Sequence, residues 1–242
     1  MNLNQSSMER QTEYTWKVND IQEETPQVKS IYLSAITNRP DFIAGQYLTV
    51  KLPNLGPVEG KAYSISSMPH EALIRITVKK MGTFSDALLS LKTGDILTTS
   101  KPYGFFYPDV DGVTPLVFLA GGIGITPILS ILKDLSHKND PRPLFLFYSN
   151  RTEQETVLQN ELSVVAEQNP HLSVHCFITR ETLVADGYIA GRMTPAHLQK
   201  FVPASTSADY FLCGSMDFTK SLWKTLRANG IQQHQIYTEG FF

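Results

Sequence analysis

The segment Leu116–Pro127 limits the folds open to this chain more than any other. It begins with five consecutive apolar residues, Leu116–Ala120, a pattern typical of a strand that is buried on both faces of a parallel sheet. Three glycines follow within four residues, and helical spacing of apolar residues begins at Ile128. A strand, a glycine-rich turn and a helix present free backbone N–H groups and the positive end of a helix to a phosphate group.

That turn predicts a dinucleotide-binding site. Its glycines are Gly121, Gly122 and Gly124, and Thr126 and Pro127 complete it. Glycine suits such a turn because a Cβ atom would block the close approach of a pyrophosphate. The usual fingerprint is Gly-x-Gly-x-x-Gly with an acidic residue about 20 residues later, whereas Pro127 stands here in place of the third glycine. A tight strand-to-helix turn without a ligand stays open as the alternative.

Composition narrows the class of protein. The chain has 242 residues, 42% of them hydrophobic, and a formal net charge of −2, which is typical of a soluble globular protein with one large or two small domains. The charge gives no reason to expect a nucleic-acid partner, and no apolar run is long enough for stable membrane insertion. Residues 1–12 are polar and lack the apolar core of a signal peptide, so we expect a loose tail. The 2 cysteines cannot hold an iron–sulfur cluster that needs four, and they favour the cytoplasm.

The spacing of apolar residues changes near Val110. Before it, short alternating segments separated by Gly, Pro and Asn favour an antiparallel sandwich or barrel, interrupted by one helix. The predicted strands are Tyr14–Ile21, Val28–Ala35, Tyr47–Leu52, Ala62–Ser66, Leu73–Lys79 and Ile96–Ser100, and the predicted helix is Ser85–Leu91.

After Val110, longer strands and helices alternate, which predicts a parallel sheet with helical crossovers. The predicted strands are Leu116–Ala120, Leu144–Tyr148, Ser173–Ile178 and Tyr210–Cys213, and the predicted helices are Ile128–Leu135, Thr156–Gln168 and Asp217–Asn229. We therefore expect two domains, residues 1–110 and residues 111–242, joined near Tyr107–Thr114.

The predicted strand around Tyr63 carries the first candidate ligands of the barrel half. It reads Lys61-Ala62-Tyr63-Ser64, and Tyr63 offers a stacking surface while Ser64 offers a hydrogen-bond donor. The alternative is an ordinary barrel strand with an exposed lysine.

A second glycine turn lies in Lys79–Ser85. It leads from two lysines into the first turn of a helix, a combination that binds diphosphate. The alternative is that Thr83 or Ser85 only caps the helix. An aromatic loop, Pro102–Phe106, follows the last predicted barrel strand.

Taken in order, these motifs resemble the ferredoxin–NADP reductase superfamily, over nearly the whole chain. The motifs that carry the resemblance are Lys61–Ser64, Gly82–Ser85, Pro102–Phe106, Gly121–Pro127, Cys213-Gly214 and the C-terminal Glu239-Gly240-Phe241-Phe242. The resemblance implies an antiparallel Greek-key β-barrel that binds FAD, then an α/β parallel-sheet domain that binds NADP or NAD, with a C-terminal tail that returns to the flavin. The sequence departs from the family pattern at Lys61, where the family has arginine. The compact ammonium group of lysine therefore replaces the planar guanidinium group that arginine would offer to a phosphate.

The resemblance also implies roles for individual residues. Tyr63 packs on the isoalloxazine ring, Ser64 hydrogen-bonds near its N5 atom, and Cys213 lies beside the nicotinamide. The implied cofactor-binding residues are Lys61, Ala62, Tyr63, Ser64, Val78, Lys80, Gly82, Thr83, Phe84, Ser85, Gly121, Gly122, Gly124, Thr126, Pro127, Arg151, Arg180, Arg192, Cys213, Gly214, Phe241 and Phe242.

The catalytic candidates are Ser64, Cys213 and Glu239. Cys213 ends a strand of the α/β half, where open sheets bind ligands, although a small core residue is the alternative. Glu239 would orient the nicotinamide or deliver a proton if it lies near the flavin, and is otherwise a tail charge. The 6 histidines show no metal-ligand spacing, so we expect no metal.

Three arginines bear on the choice of dinucleotide. Arg151 follows the second strand of the α/β half without an acidic residue placed to bind a ribose 2′-hydroxyl, and Arg180 and Arg192 come later. Arginine is the natural partner of a 2′-phosphate, so we favour NADPH; solvated loop charges are the alternative.

The predicted function is hydride transfer from NAD(P)H to bound FAD, followed by electron transfer to a separate carrier such as ferredoxin or flavodoxin. One alternative is a flavin reductase that releases its flavin, and another is the reductase component of an oxygenase system. An alternative of a different class is a non-catalytic flavin-binding, redox-sensing module.

Overall fold

Two six-stranded sheets make up the protein. The structure, a computed structural model, describes residues 13–52, 55–203 and 205–241. The first sheet is antiparallel and the second is entirely parallel, as the fold class predicted from the sequence requires. Within these residues, no helix is long and apolar enough to cross a membrane.

The first sheet is a Greek-key barrel. Its strands are β1 (Glu13–Thr25), β2 (Val28–Ala35), β3 (Tyr47–Lys51), β4 (Lys61–Ser64), β5 (Ile74–Lys79) and β6 (Ile96–Ser100). They lie in the order β4-β3-β6-β1-β2-β5, and a bridge between Ile65 and Ile76 joins the two ends of the sheet. Alternate residues point inward, so Leu48 and Val50 of β3 are fully buried between partly exposed neighbours. The short helix α1 (Thr83–Leu89) adds Phe84 to this core.

The second sheet is a doubly wound α/β layer. Its elements are β7 (Leu116–Gly121), α2 (Ile125–His137), β8 (Leu144–Asn150), α3 (Gln159–Gln168), β9 (Leu172–Ile178), β10 (Tyr188–Ala190), α4 (Pro195–Phe201), β11 (Asp209–Ser215), α5 (Met216–Ala228) and β12 (Ile236–Phe241). The strands lie in the order β10-β9-β8-β7-β11-β12, so the chain reverses its winding direction between β7 and β11. Such a switch point leaves a crevice at the carboxyl ends of the strands, where ligands bind.

Several predicted element boundaries were wrong. Helix α3 begins at Gln159 rather than Thr156, because Leu158 has a left-handed backbone (φ 58°) that separates the helix from a short 3-10 turn. Helix α1 begins at Thr83, two residues earlier than predicted, and α2 begins at Ile125. The predicted C-terminal tail is largely a strand, β12, which pairs with β11.

An ion-pair network joins the barrel to the second sheet. Arg75 of β5 is 1% exposed, and its guanidinium pairs with the Glu161 carboxylate of α3. Lys133 of α2 bridges Glu161 (3.1 Å) and Glu71 of the barrel (2.6 Å). Burial alone would raise the pKa of Glu161, but Arg75 and Lys133 outweigh it and hold that pKa below its ordinary value. These ion pairs thus tie the barrel to the helices that cover the second sheet.

Candidate active site

A cavity of about 570 Å³ lies between the barrel and the carboxyl edge of the second sheet. It is called the barrel cavity here. The residues that line it are Tyr47, Gly60, Lys61, Ala62, Tyr63, Ser64, Thr77, Lys79, Met81, Gly82, Ser85, Ile123, Thr126, Glu239 and Gly240. All four residues of β4 line this cavity, and β4 is the edge strand that pairs with β3.

Two buried polar atoms in the barrel cavity have no hydrogen-bond partner among the described residues. They are Ser64 Oγ and Glu239 Oε2. Burial raises the pKa of Glu239 to about 7, so this carboxyl group gains or loses its proton near neutral pH. An unsatisfied donor and an unsatisfied carboxyl on facing walls of one cavity fit a polar ligand placed between them.

Tyr63 forms an apolar wall of the barrel cavity. Its ring is stacked on Phe84, with 6.4 Å between centroids and an interplanar angle of 17°, and Lys61 Nζ lies 5.7 Å from the Phe84 centroid. Burial raises the pKa of Tyr63 to about 12, so its hydroxyl stays protonated. Phe84 itself belongs to the barrel core and supports Tyr63 from behind.

The turn after Lys80 is held by a side chain of the helix that follows it. Ser85 Oγ accepts a hydrogen bond from the Met81 N–H (2.7 Å) and donates one to the Gly82 carbonyl (2.8 Å). The N-cap residue of α1 is Gly82 and no side chain caps the helix, so neither Thr83 nor Ser85 is the N-cap that the sequence left as an alternative.

The glycines of the β7–α2 turn serve mainly the protein's own packing. A Cβ atom at Gly124 would lie 2.1 Å from the Cys213 carbonyl oxygen, and one at Gly121 would lie 3.0 Å from the Phe218 ring. Only Gly122 has open space around it, together with a left-handed φ of +53°. We expected a Cβ atom in this turn to obstruct a pyrophosphate. At Gly121 it would instead meet the Phe218 ring of α5, and at Gly124 it would meet the backbone at the end of β11.

A second cavity, of about 1210 Å³, adjoins the first and shares Lys79, Met81 and Ile123 with it. It is called the edge cavity here. Its lining is Thr25, Pro26, Gln27, Val28, Lys79, Lys80, Met81, Gly121, Gly122, Ile123, Ser149, Asn150, Arg151, Thr152, Gln154, Glu155, Val157, Thr179, Arg180, Arg192, Met193, Ser215, Asp217, Phe218, Ser221 and Leu222. It runs along the carboxyl ends of β7, β8 and β9 and faces the tip of the β1–β2 hairpin.

Positive charge predominates in the edge cavity. Its lining contains five cationic side chains and only two carboxylates. Three of the cations are arginines that lie far apart in the sequence: Arg151, Arg180 and Arg192. The three arginines are exposed, and none forms an ion pair with any residue that the structure describes. The cavity suits a ligand with several negative charges.

Some predicted residues lie away from both cavities. Val78 is buried in the barrel core, and the Cys213 side chain is fully buried in the core beside α2. Burial, followed by the nearby Glu239, raises the pKa of Cys213 well above its ordinary value, so its thiol stays protonated. The other predicted residues that line neither cavity are Thr83, Phe84, Gly124, Pro127 and Gly214. The side chain of Phe241 and the whole of Phe242 lie outside the part of the chain that the structure describes.

Sequence reasoning missed several residues of the cavity walls. Tyr47 lines the barrel cavity, and burial and the nearby Tyr103 raise its pKa, but nothing in its sequence context marks it. Asn150 at the end of β8 lines the edge cavity, and its position before Arg151 was the one signal available. The described residues contain no group of three or more His, Cys, Asp or Glu side chains placed to hold a metal ion.

Comparisons with known proteins agree with this geometry. Residues 118–223 match the family model of the oxidoreductase NAD-binding domain. The chain is 31% identical over 229 residues to a flavohemoprotein of Bacillus subtilis, covering 90% of this chain and 56% of that protein. It is 29% identical over 213 residues to the toluate 1,2-dioxygenase electron transfer component of Pseudomonas putida, covering 86% of this chain and 61% of that one. The chain thus spans less than two thirds of these curated relatives.

Two solved structures share the complete fold. The FAD/NAD-binding domain of nitric oxide dioxygenase from Vibrio cholerae superposes with a TM-score of 0.85 at 25% identity, covering 96% of this chain and 99% of that one. A ferredoxin NADP+ reductase from Neisseria gonorrhoeae, with bound FAD and NADP, gives a TM-score of 0.81 at 21% identity with the same coverage. Residues 118–223 thus match an oxidoreductase NAD-binding domain, and the whole chain shares the two-sheet fold of its structural neighbours in the ferredoxin–NADP reductase family.

Proposed function

We propose that the chain is an NAD(P)H-dependent flavoprotein reductase, with FAD in the barrel cavity and the dinucleotide in the edge cavity. The observation that carries this proposal is the adjacency of the two cavities, which share Lys79, Met81 and Ile123. Hydride transfer needs two flat rings in contact, and adjoining cavities at a sheet switch point provide room for both.

The residues of the barrel cavity fit a flavin. A volume of about 570 Å³ falls within the range of ordinary cofactor sites. Tyr63 offers a flat face, Ser64 Oγ an unsatisfied hydrogen-bond donor, and Gly82 with Ser85 a turn whose backbone faces the cavity. Lys61 and Lys79 add positive charge for a phosphate. The predicted flavin contacts of Lys61, Ala62, Tyr63 and Ser64 are part of this proposal.

Each side chain of the site has one limited role in the proposed mechanism. FAD, when bound, accepts the two electrons of a hydride and can pass them on singly. Tyr63 covers a ring face and excludes water, and Ser64 donates a hydrogen bond to the ring edge. Glu239 holds a proton below about pH 7 and releases it above, so it is suited to exchange a proton with the reduced flavin. We propose that Cys213, being buried, shapes the wall behind Glu239, its neighbour on the adjacent strand, rather than exchanging protons.

We favour NADPH over NADH as the hydride donor. Two carboxylates near the arginines are already occupied, since Glu153 accepts the Ala185 N–H and Glu181 accepts the Glu153 N–H. Glu155 and Asp217 remain in the cavity lining, outnumbered by the cationic side chains. Unpaired arginines suit a 2′-phosphate, whereas a ribose 2′-hydroxyl is normally bound by a carboxylate.

The electron acceptor in our proposal is a separate protein, a ferredoxin or flavodoxin. The likeness to an oxygenase electron transfer component supports a protein acceptor and keeps an oxygenase as the second candidate. A flavin reductase, which releases its flavin, is the third.

Gel filtration of the FAD-loaded protein, followed by acceptor assays, separates the carrier reductase from the flavin reductase and from the non-catalytic module. We expect FAD to elute with the protein and NADPH oxidation to depend on an added carrier, tested with ferredoxin, flavodoxin and free flavin in parallel. Loss of FAD from the protein, together with fast turnover of free flavin, would favour the flavin reductase. Retained FAD that NADPH fails to reduce would favour the non-catalytic module.

A further inference from the structure

Asn150 is a buried amide without a partner, in the lining of the edge cavity. It is 5% exposed, and neither its amide oxygen nor its amide nitrogen has a hydrogen-bond partner among the described residues. Leaving buried polar atoms unpaired costs about 1–3 kcal/mol each, so native proteins keep few of them without a reason.

The barrel cavity also has buried polar atoms without hydrogen-bond partners among the described residues. Six buried side-chain atoms lack partners in the described part of the chain, and four of them belong to cavity-lining residues: Ser64, Glu239 and, with two atoms, Asn150. The other two atoms are Arg39 Nε and Asp134 Oδ1, and each of these side chains is bonded through another atom, Arg39 Nη2 and Asp134 Oδ2.

The backbone of Asn150 is held in place while its side chain is not. Its carbonyl accepts hydrogen bonds from both the N–H (3.0 Å) and the Oγ1 (3.1 Å) of Thr179. Tyr148, two residues earlier on the same face of β8, has its hydroxyl engaged by the N–H and carbonyl of Val157, each at 3.2 Å. The Asn150 side chain lies close enough to the Tyr148 hydroxyl to offset part of the rise that burial causes in the pKa of Tyr148. Neither amide atom makes a hydrogen bond of normal geometry with a described residue, so both retain hydrogen-bonding capacity.

The location of Asn150 indicates which ligand it faces. It is the last residue of β8, one strand away from the β7–β11 switch point, and it lies between the Gly121–Gly122 turn and Arg151 in the cavity lining. A dinucleotide that extends from the switch point toward the arginines passes this strand end with its ribose and phosphate groups. A carboxamide can donate to and accept from such groups at once.

We propose that Asn150 is a nucleotide-binding residue whose carboxamide hydrogen-bonds the sugar–phosphate part of the dinucleotide. This role rests on the proposed function, because it requires a dinucleotide in the edge cavity. A failure of this role can be distinguished from a failure of the proposed function, because the role concerns one side chain in a protein that otherwise binds NADP+.

The test is calorimetric titration of the FAD-loaded protein with NADP+ and with NAD+, alongside a thermal melt. We expect Asn150→Ala to raise the dissociation constant about tenfold without lowering the melting temperature, because it removes unpaired polar atoms. Asn150→Asp keeps the shape of the side chain but places a carboxylate near phosphate, so it should raise the dissociation constant further. This variant also provides the test if Asn150→Ala fails to fold.

Asn169 provides the matched control. It is equally buried, at 5% exposed, but its amide is satisfied by Ser136 Oγ (2.8 Å) and the His171 N–H (2.9 Å), away from both cavities. Asn169→Ala should lower the melting temperature and leave nucleotide affinity unchanged. The inference is overturned if both Asn150 variants bind NADP+ and NAD+ as the wild type does, or if Asn169→Ala weakens binding equally. A wild type that binds neither nucleotide would overturn the proposed function and this role with it.

Discussion

At the residue scale, the β7–α2 turn shows two different uses of glycine. Gly124 has no room for a side chain, since its Cβ would lie 2.1 Å from the Cys213 carbonyl oxygen, whereas the space beside Gly122 is open. We predict that Gly124→Ala lowers the free energy of unfolding by about 3 kcal/mol, the upper range of overpacking. Gly122→Ala should cost only about 1 kcal/mol, from its left-handed φ. Urea unfolding of both variants tests this, and equal losses would contradict it.

Glu239 gives the site a pH dependence. Its pKa is raised by burial from 4.5 to about 7. Between these two values the unfolded chain has released a proton that the native state still holds. Wild-type stability should therefore fall as pH rises through this window, by up to about 3 kcal/mol. Glu239→Gln should remove that slope. Urea unfolding of wild type and variant at pH 5 and pH 8 measures it, and parallel pH profiles would argue against a buried, titrating carboxyl.

At the element scale, the ion pair between β5 and α3 holds the two sheets together. Glu161→Gln leaves Arg75 buried without a carboxylate, and we predict a loss of about 2 kcal/mol in unfolding free energy. This is less than for a fully buried pair, because the Glu161 side chain is 34% exposed. The exposed pair of Lys51 and Glu13 is the control, since Glu13→Gln should cost no more than about 0.5 kcal/mol. Chemical denaturation of both variants measures the difference.

The elements that the sequence predicted are those with strong periodicity. The apolar run Leu116–Ala120 and the alternating barrel strands were located to within a few residues. Strand β10 was missed because three residues are too few to show a period. Helix α4 was missed although its N-terminus carries a signal, Thr194 followed by Pro195, where the structure shows a capping box. Strand β12 was taken for a tail because pairing with β11, not local pattern, makes it a strand.

Residues of the candidate site could be predicted from the sequence only where they belong to a recognisable motif. The motif around Tyr63 and the arginines of the α/β half led to residues that line the two cavities. Cys213 came from the same kind of motif, but the strand alternation turns its side chain into the core. Tyr47 depends on tertiary packing and carries no local signal, and the only signal for Asn150 was its position before Arg151.

At the scale of the whole molecule, the proposed function depends on two cavities that share lining residues, one of which lies between the barrel and the parallel sheet. Neither sheet forms this site alone, since Ser64 comes from the barrel while Glu239 comes from the last strand of the chain. The network of Arg75, Glu161 and Lys133 ties the barrel to helices α2 and α3 of the second sheet.

The most direct test is anaerobic mixing of the FAD-loaded protein with NADPH and, separately, with NADH, while the visible flavin band is followed. We predict that the band bleaches with both nucleotides and faster with NADPH. If neither nucleotide bleaches a flavin band that dithionite still reduces, hydride does not pass between the two cavities and the central claim is wrong.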